Sequence, residues 1–437
     1  MRLHRVAIAE LEGLGGPAGV AAHLRGLIAD ASSVEQDVRE IVQRVRAEGD
    51  AAVLDYTRRF DATAAAPPAA QELSLLVSAE QLDEAIKRLP LDVVAGLQVT
   101  IANVAQVADA AVEQGRTVAL AQGQQIALRE IPVASAAIYV PGGRAPYPST
   151  VAMGVVTARA AGVLDVVVCA PPGADGEIHP AILGACRLCG VERVYRMGGA
   201  QAIAALAYGT DTVARVDVVV GPGNLYVQEA KRQLSATVGI DGFAGPSDLL
   251  VVLGAEVGQR EIALAALDML AQAEHGEGSL VVAVSPGPGV NDALATEIAR
   301  LDAELPAGGG AFALVDAFDA AGALELANAF APEHLQLIGA DAEALASRVQ
   351  SAGCLFVGAA SATAFGDYVA GSNHILPTGG AARFASMLSP RHFRRRMAEV
   401  RIDAAGAGKL ASAGAPIARA EGFEWHARSM EARIGDN

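Results

Sequence analysis

The chain has 437 residues, of which 52% are apolar, 19% charged and only 4% aromatic. Its 33 basic and 49 acidic residues give a formal net charge of −16, which disfavours a nucleic acid or an anionic membrane as a partner but leaves room for a local phosphate pocket. With 47 glycines and 4 cysteines, the composition excludes a disordered chain, a collagen-like repeat and a disulfide scaffold. It predicts a soluble α/β protein of the reducing cytoplasm.

The N-terminal part is predicted to be a helical arm. Charges at Arg5, Glu10 and Glu12 interrupt the first residues, which therefore lack the apolar core of a signal peptide. The apolar period of the following segment predicts helices over 34–49, 50–60 and 78–89, and a long helix that begins at Leu91. A capping box from Ser78 to Gln81 opens the third of these helices. Polar residues interrupt the weakly charged stretch 93–108, which argues against a membrane span.

From Pro132 onward, short β-branched runs that end in glycine or proline turns alternate with Ala-rich helices. This alternation predicts parallel sheets covered by helices on both faces. A break near Gly254 divides it into two Rossmann-like domains, the first formed by residues 1–131 and 250–378 and the second by residues 132–249. Residues 379–437 are predicted to form a helical tail. The predicted strands end at Val140, Ala170, Met197 and Val220 in the second domain, and span 279–284, 310–316, 334–339 and 354–359 in the first.

Three strand ends of the second domain share a glycine turn that leads into a helix. These turns cover residues 139–143, 197–201 and 220–224. Free backbone amides and helix N-termini at the carboxyl edge of a parallel sheet suit an anionic ligand. Because the G-x-G-x-x-G fingerprint is absent, glycines needed only for tight turns remain the alternative.

Three histidines lie near other polar side chains in apolar surroundings. Two of these polar groups, Gln272 and His275, project from one face of a predicted helix at its last turn. Amide, imidazole and carboxylate groups of this kind form a nitrogen and oxygen ligand set appropriate to Zn²⁺. No pair alone has a strong spacing signature, and polar pairs of this kind are usually solvated on the surface. The pairs are Gln272 with His275, Asp367 with His374, and Glu421 with His426.

A further pair, Glu333 and His334, follows Pro332 just before an apolar strand. Adjacent residues in an extended segment point to opposite faces, so at least one side chain is expected to point inward unless the pair occupies a turn. A histidine that titrates near neutrality is suited to removing a hydroxyl proton, and a neighbouring carboxylate to activating water. A surface pair at a strand start is the alternative.

The motifs YVPGGRAPYPST, GGAQAIAALAYGT, GPGNLYVQEAKRQ, QAEHG, APEHLQL and GDYVAGSNHILPT occur in this order. Together they closely resemble the histidinol dehydrogenase family, from Ser33 to the C-terminus. The resemblance implies oxidation of L-histidinol through L-histidinal to L-histidine, the last step of histidine biosynthesis, with two NAD⁺ and one Zn²⁺ per site. It also implies an intertwined homodimer in which the tail of one subunit contributes to the active site of the other.

The resemblance also implies roles for individual residues. The catalytic pair matches Glu333, which helps to activate water, and His334, the general base. The zinc ligands match Gln272, His275, Asp367 and His426. Contacts to the substrate match Ser247, Gln272, His275, His334, Asp367, His374, Glu421 and His426, and contacts to NAD⁺ match Tyr139, Gln201 and Asn224.

Some positions depart from the pattern expected of the family. Gly276 stands where Asp is expected, Asp248 stands where Glu is expected, and the segment 276–332 is short. Gly276 adjoins a predicted metal ligand, so a lost carboxylate there would change how that ligand is oriented. The alternative function is therefore NAD- and Zn-dependent oxidation of another small polar alcohol, such as dihydroxypropanesulfonate, by an enzyme of the same family.

Overall fold

The structure is a computed structural model that describes residues 2–7, 13–28, 33–61, 74–142, 145–242, 245–276 and 278–434. The strands of the described residues form three sheets, two of them parallel and one antiparallel. The strands are β1 (Arg2–Val6), β2 (Arg116–Ala119), β3 (Gln125–Pro132), β4 (Ser135–Tyr139), β5 (Asp165–Ala170), β6 (Val194–Arg196), β7 (Val218–Val220), β8 (Gly239–Ile240), β9 (Asp248–Leu253), β10 (Leu280–Ser285), β11 (Ala311–Asp316), β12 (His334–Ile338), β13 (Cys354–Val357) and β14 (Arg394–Arg401).

Helices pack between and around these sheets. The α-helices are α1 (Gly16–Arg25), α2 (Glu35–Glu48), α3 (Asp50–Phe60), α4 (Ala79–Arg88), α5 (Leu91–Ala110), α6 (Pro148–Ala160), α7 (Pro180–Leu188), α8 (Gly199–Tyr208), α9 (Leu225–Leu234), α10 (Gln259–Ala273), α11 (Val290–Glu304), α12 (Ala320–Phe330), α13 (Ala340–Glu343), α14 (Thr363–Tyr368), α15 (Ala404–Ala420) and α16 (Glu424–Glu431).

The N-terminal helices α2 to α5 confirm the sequence prediction. Ser78 and Gln81 form the predicted capping box, in which each side chain accepts a backbone hydrogen bond of the other. Among the described helices, α5 alone has the length and composition of a membrane-spanning helix, and 22% of its most apolar part is buried. Core helices of soluble proteins pass the same test, so this finding is weak evidence for a membrane span.

The five-stranded parallel sheet has the strand order β6-β5-β4-β7-β8. Its strands β4 to β7 confirm the predicted strands of the middle of the chain. The three glycine turns follow the carboxyl ends of β4, β6 and β7, which lie within one sheet. Parallel strands have their carboxyl ends at the same edge, so the fold brings the three turns together at that edge.

The six-stranded parallel sheet has the strand order β1-β11-β10-β9-β12-β13. All residues of β9, β10 and β12 are buried, as expected of strands covered on both faces. In the register of the sheet, His334 of β12 lies opposite Leu249 of β9. The residues that begin these two strands are therefore neighbours at the amino edge of the sheet.

Residues 379–437 contain a strand as well as helices, so the prediction of a helical tail is wrong over β14. This strand pairs antiparallel with β3 along its whole length, from Arg394 opposite Pro132 to Arg401 opposite Gln125. Strands β1, β2, β3, β8 and β9 were not predicted either, so the prediction of a helical N-terminal arm is wrong over β1 to β3. Strand β9 begins at Asp248, just before the expected domain boundary. The division into domains of residues 1–131 with 250–378, 132–249 and 379–437 stays a prediction.

Candidate functional site

One cavity of about 1430 Å³ has walls from both parallel sheets. The glycine turns at the carboxyl edge of the smaller sheet line one part, and residues at the amino ends of β9 and β12 line another. Most of the site residues predicted from the sequence line this cavity. They are Tyr139, Gln201, Asn224, Ser247, Gln272, His275, Glu333, His334, Asp367 and His374.

The carboxylate of Glu333 is buried in a network of hydrogen bonds. It accepts one from Ser247 Oγ at 2.6 Å and one from the backbone N–H of Asp248 at 3.1 Å. Gln272 Nε2 donates in turn to Ser247 Oγ at 2.6 Å. Burial raises the pKa of Glu333 to about 7, because it disfavours the charged form more than His334 and Ser247 stabilise it. Near neutral pH this carboxyl group can therefore both take up and release a proton.

A buried aspartate holds the backbone at Glu333 in place. Asp248 is 1% exposed, and its Oδ1 accepts a hydrogen bond of 2.7 Å from the backbone N–H of Glu333. Its Oδ2 accepts one of 3.1 Å from Arg25, whose guanidinium group stacks on the ring of Phe330. Sequence reasoning missed Arg25, which carries no motif, and noted Asp248 only as a departure from the family pattern. Because Asp248 points to this backbone and does not line the cavity, we assign it a positioning role.

The imidazole of His334 lies between two carboxylates. Its Nε2 is 3.4 Å from Asp367 Oδ1, and its Nδ1 is 3.9 Å from Glu333 Oε2. Burial lowers the pKa of His334, but the contact with Asp367 and the charge of Glu333 outweigh this effect and raise it to about 9. Both Glu333 and His334 line the same cavity. Glu333 lies before the first residue of β12, so the rule that successive side chains of a strand point to opposite faces does not apply to this pair.

Three of the four predicted metal ligands line the cavity. Gln272 lies in the last turn of α10, His275 follows that helix, and Asp367 lies on α14. The His275 ring remains in contact with solvent, yet the surrounding protein displaces enough water to lower its pKa and favour the neutral form. Burial by itself would raise the pKa of Asp367, but His334 lowers it below its usual value. A neutral imidazole, an ionised carboxylate and an amide therefore line one cavity.

The tail residues are placed elsewhere. Glu421 directly follows α15 and His426 lies on α16, and both are exposed and do not line the cavity of their own chain. The ring of His426 packs against Phe423, with the ring centroids 5.2 Å apart. Within a single chain, the structure does not bring these two residues to the other site residues.

His374 is fixed by hydrogen bonds at both ring nitrogens. Its Nδ1 lies 2.9 Å from the backbone oxygen of Asp367, which can only accept, so Nδ1 is the donor. Burial lowers the pKa of His374 and favours the neutral ring, so Nε2 accepts from Thr150 Oγ1 at 2.9 Å. Sequence reasoning missed Thr150, which belongs to the YPST segment of a quoted motif.

Several backbone amides of the glycine turns already have protein acceptors. Gly199 N–H donates to the hydroxyl of Tyr139 at 3.2 Å, and Gly221 N–H donates to Asp241 at 2.7 Å. Asn224 caps α9 by accepting from the N–H of Val227 at 3.2 Å. The expectation that the turns offer free amides to an anion is therefore wrong for Gly199 and Gly221, and the Val227 amide at the N-terminus of α9 is occupied as well.

The third glycine turn is held by a buried ion pair that the sequence did not reveal. Lys231 Nζ lies 2.7 Å from Asp241 Oδ1 and donates to the backbone oxygen of Gly221 at 2.5 Å. Both charged side chains line the cavity. The positive charge of Lys231 thus already has a carboxylate partner.

Gly276 has a backbone reason to be glycine. Its φ of +109° lies in a region that residues with a Cβ rarely adopt. The turn that follows α10 therefore favours glycine at position 276, and this explains the residue without a lost carboxylate.

Comparisons with known proteins identify the family of the chain. The family model of histidinol dehydrogenase matches residues 27–434. The chain is 41% identical to histidinol dehydrogenase of Synechococcus sp. over 91% of its own length and 92% of the relative's. It is 42% identical to histidinol dehydrogenase of Pseudomonas aeruginosa over 92% of each chain.

A solved structure leads to the same family. The crystal structure of histidinol dehydrogenase from Elizabethkingia anophelis superposes with a TM-score of 0.87 and 27% sequence identity. The match covers 99% of this chain and 98% of that one. The chain therefore belongs to the histidinol dehydrogenase family and is an oxidoreductase of this type.

Proposed function

We propose that this enzyme oxidises L-histidinol through L-histidinal to L-histidine, with NAD⁺ as the electron acceptor and Zn²⁺ as the metal. The observation that carries the proposal is the single cavity, which joins the Glu333 and His334 pair to the three glycine turns. An acid-base pair beside a dinucleotide-sized space is the arrangement that oxidation of an alcohol requires.

The candidate ligands fit a zinc ion, with one ligand from another chain. Gln272, His275 and Asp367 would hold the ion, and His426 from a second copy of the chain would complete four ligands. No cluster of three or more His, Cys, Asp or Glu side chains that could hold a metal occurs among the described residues of one chain. The absence of such a cluster is consistent with the proposed zinc ligands, because one of them, Gln272, is an amide and another, His426, would come from a second copy of the chain. When bound, Zn²⁺ supplies a Lewis acid that orients the substrate, and NAD⁺ supplies the electron acceptor.

His334 is the group that we assign to remove the hydroxyl proton. Its Nε2 faces Asp367, and therefore the side of the cavity with the candidate metal ligands, whereas its Nδ1 is buried and has no hydrogen-bond partner among the residues that the structure describes. The carboxylates of Glu333 and Asp367 stabilise the imidazolium that forms when the proton arrives. A positive ligand on Asp367 would weaken this attraction and bring the pKa of His334 down towards neutrality.

Glu333 is the group that we assign to the hydration of the aldehyde. A carboxyl group with a pKa of about 7 exchanges protons with water near neutral pH more readily than an ordinary glutamate. Ser247 and the backbone amide of Asp248 fix its Oε2. Retention of the aldehyde in the site between the two oxidations would keep this reactive intermediate away from bulk solvent. Ser247 and His374 line the same space and are proposed substrate contacts, and Tyr139, Gln201 and Asn224 are proposed contacts to NAD⁺.

The exposed tail supports a homodimer with shared active sites. We propose that Glu421 and His426 act in the cavity of a second copy, in the cytoplasm. The test mixes an inactive His426→Ala variant with an inactive His275→Ala variant. Hybrid dimers that contain one site with neither substitution should restore part of the activity. If mixing restores none, each site is built within one chain.

The deciding experiment measures NADH formation by the purified full chain with L-histidinol and with other small polar alcohols, each with and without a chelator. We expect two NADH per L-histidinol and loss of the reaction after the metal is removed. Turnover of dihydroxypropanesulfonate without turnover of L-histidinol would reject L-histidinol as the substrate and support the alternative function. Turnover of L-histidinol at full rate in the presence of the chelator would reject the metal.

A further inference from the structure

Asp61 contributes a carboxylate to the cavity from outside the sheet that carries the glycine turns. It directly follows α3 (Asp50–Phe60) and lines the cavity beside the second turn. Gln201 Nε2 donates to its Oδ2 at 3.3 Å, and a hydrogen bond with the backbone of Gly198 also stabilises the charged form. The sequence indicated only that Asp61 begins a loop, and no motif points to it.

The charge of Asp61 depends on how burial and hydrogen bonding shift its pKa. Burial raises its pKa to about 6, and the hydrogen bond with Gly198 acts against this rise. At pH 7.5 the ionised form therefore predominates. The side chain is held within the cavity wall, so its charge acts on a bound molecule through protein more than through water.

The balance of charge in the cavity wall is negative. Among the described lining residues the carboxyl groups outnumber Lys and Arg by five to one, and the one lysine, Lys231, is paired with Asp241. His334, whose pKa is raised, lies between Glu333 and Asp367, so its charge is also matched by carboxylates. At the second turn, the Gly199 amide donates to the Tyr139 hydroxyl and the Gly198 backbone bonds Asp61. This part of the wall therefore presents hydrogen-bond acceptors and a negative charge to a ligand. The five carboxyl groups belong to Asp61, Asp241, Glu274, Glu333 and Asp367.

We propose that Asp61 makes the cofactor site selective for the dinucleotide that lacks a 2′-phosphate. A carboxylate accepts hydrogen bonds from ribose hydroxyls, as acidic residues do in many NAD⁺-binding folds. A 2′-phosphate carries close to two negative charges and would meet this carboxylate without a free Lys or Arg among the described lining residues. Asp61 is thus a specificity-determining residue, and its role rests on the proposed NAD⁺-dependent function.

The test compares NADH and NADPH binding by fluorescence titration of the full-length enzyme at pH 7.5. The wild-type chain is expected to bind NADH about a hundredfold more tightly than NADPH. Asp61→Asn keeps an oxygen that can accept the same hydrogen bonds but removes the charge, and Asp61→Ser removes both charge and bulk. In both variants the ratio of the affinity for NADH to the affinity for NADPH is expected to fall about tenfold or more, because NADPH binds more tightly.

The matched control is Asp55→Asn, on the helix α3 that Asp61 directly follows. Asp55 forms an exposed ion pair with Arg44 and does not line the cavity, so its substitution changes the net charge equally and should leave the preference unchanged. Equal narrowing by Asp55→Asn would attribute the effect to overall charge and overturn the inference.

Other outcomes would also overturn it. These are equal affinity of the wild-type chain for NADH and NADPH, an unchanged preference in both Asp61 variants, or loss of NADH binding by both variants with an intact circular dichroism spectrum. Binding of neither dinucleotide by the wild-type chain would reject the proposed function itself, whereas NADH binding without discrimination rejects only the role of Asp61.

Discussion

The link from Arg25 through Asp248 to Glu333 gives a prediction whose size follows from the contacts. Asp248→Ala removes the acceptor for the Glu333 N–H and also the partner of the Arg25 guanidinium. Asp248→Asn is nearly isosteric and keeps an oxygen for the N–H, but it removes the charge that pairs with Arg25. The two variants therefore separate the backbone hydrogen bond from the ion pair.

The expected cost differs between them. A buried N–H left without an acceptor costs about 1–3 kcal/mol. The ion pair is only partly buried, because 27% of the Arg25 side chain is exposed against 1% of the Asp248 side chain, so its loss costs about 1–2 kcal/mol rather than the larger value of a fully buried pair. Asp248→Ala is expected to lower the free energy of unfolding by about 2–5 kcal/mol, and Asp248→Asn by about 1–2 kcal/mol.

Urea unfolding followed by circular dichroism measures these values. Circular dichroism is preferred to tryptophan fluorescence because the single tryptophan, Trp425, is 79% exposed and reports poorly on the core. Turnover of L-histidinol should fall more in Asp248→Ala than in Asp248→Asn, since only the former releases the backbone at Glu333. The control is Asp292→Asn, which breaks an exposed pair with Arg5 and should cost less than about 0.5 kcal/mol. Equal costs for the two Asp248 variants would refute the assigned role of the backbone hydrogen bond.

Three further predictions concern the acid-base groups of the site and its support. His334→Asn should leave cofactor binding intact but lower kcat about a hundredfold or more, as loss of a general base does; near-normal turnover would remove His334 from that role. Glu333→Gln should impair oxidation of L-histidinal more than that of L-histidinol, and equal rate losses with the two substrates would contradict its assignment to hydration. Burial raises the pKa of Asp268 from 3.8 to about 6. The folded state therefore binds the carboxyl proton of Asp268 more tightly than the unfolded state does, and the stability that this proton contributes is lost as the pH rises through 6. Asp268→Asn keeps an oxygen for Gln336 Nε2 and should therefore raise the free energy of unfolding by about 3 kcal/mol at pH 8 but not at pH 4; urea titrations at both pH values test this, and an equal gain at both would be contrary to it.

The parts of the fold that the sequence predicted are those with strong local signals. Strands such as β5 and β10 are buried along almost their whole length, so they appear as uninterrupted apolar runs between turns. Strand β14 has no such signal, because it is mostly exposed and its partner β3 lies more than 260 residues earlier in the chain. Its pairing depends on that distant contact and not on local apolar periodicity.

The candidate site shows the same limit. Residue types that suit metal binding or proton transfer could be selected from the sequence, and ten of the twelve predicted site residues line one cavity. The groups that hold them in place could not be selected, because their partners are far away in sequence. Arg25 and Asp248 are 223 residues apart, and Thr150 and His374 are 224 apart. The occupied amides at Gly199 and Gly221 were likewise unpredictable, since their acceptors come from other turns and loops.

Strand β14 has a consequence for how the protein behaves at high concentration. It lies at the edge of the antiparallel sheet, and its sequence RRRMAEVR carries four arginines. An edge strand offers unpaired backbone groups to any other strand, which is a common route to aggregation. If two copies of this edge paired in parallel and in register, each arginine would lie opposite its counterpart, and the resulting repulsion opposes such strand pairing between molecules. The arginines of β14 therefore protect the exposed edge of this sheet against association into fibres.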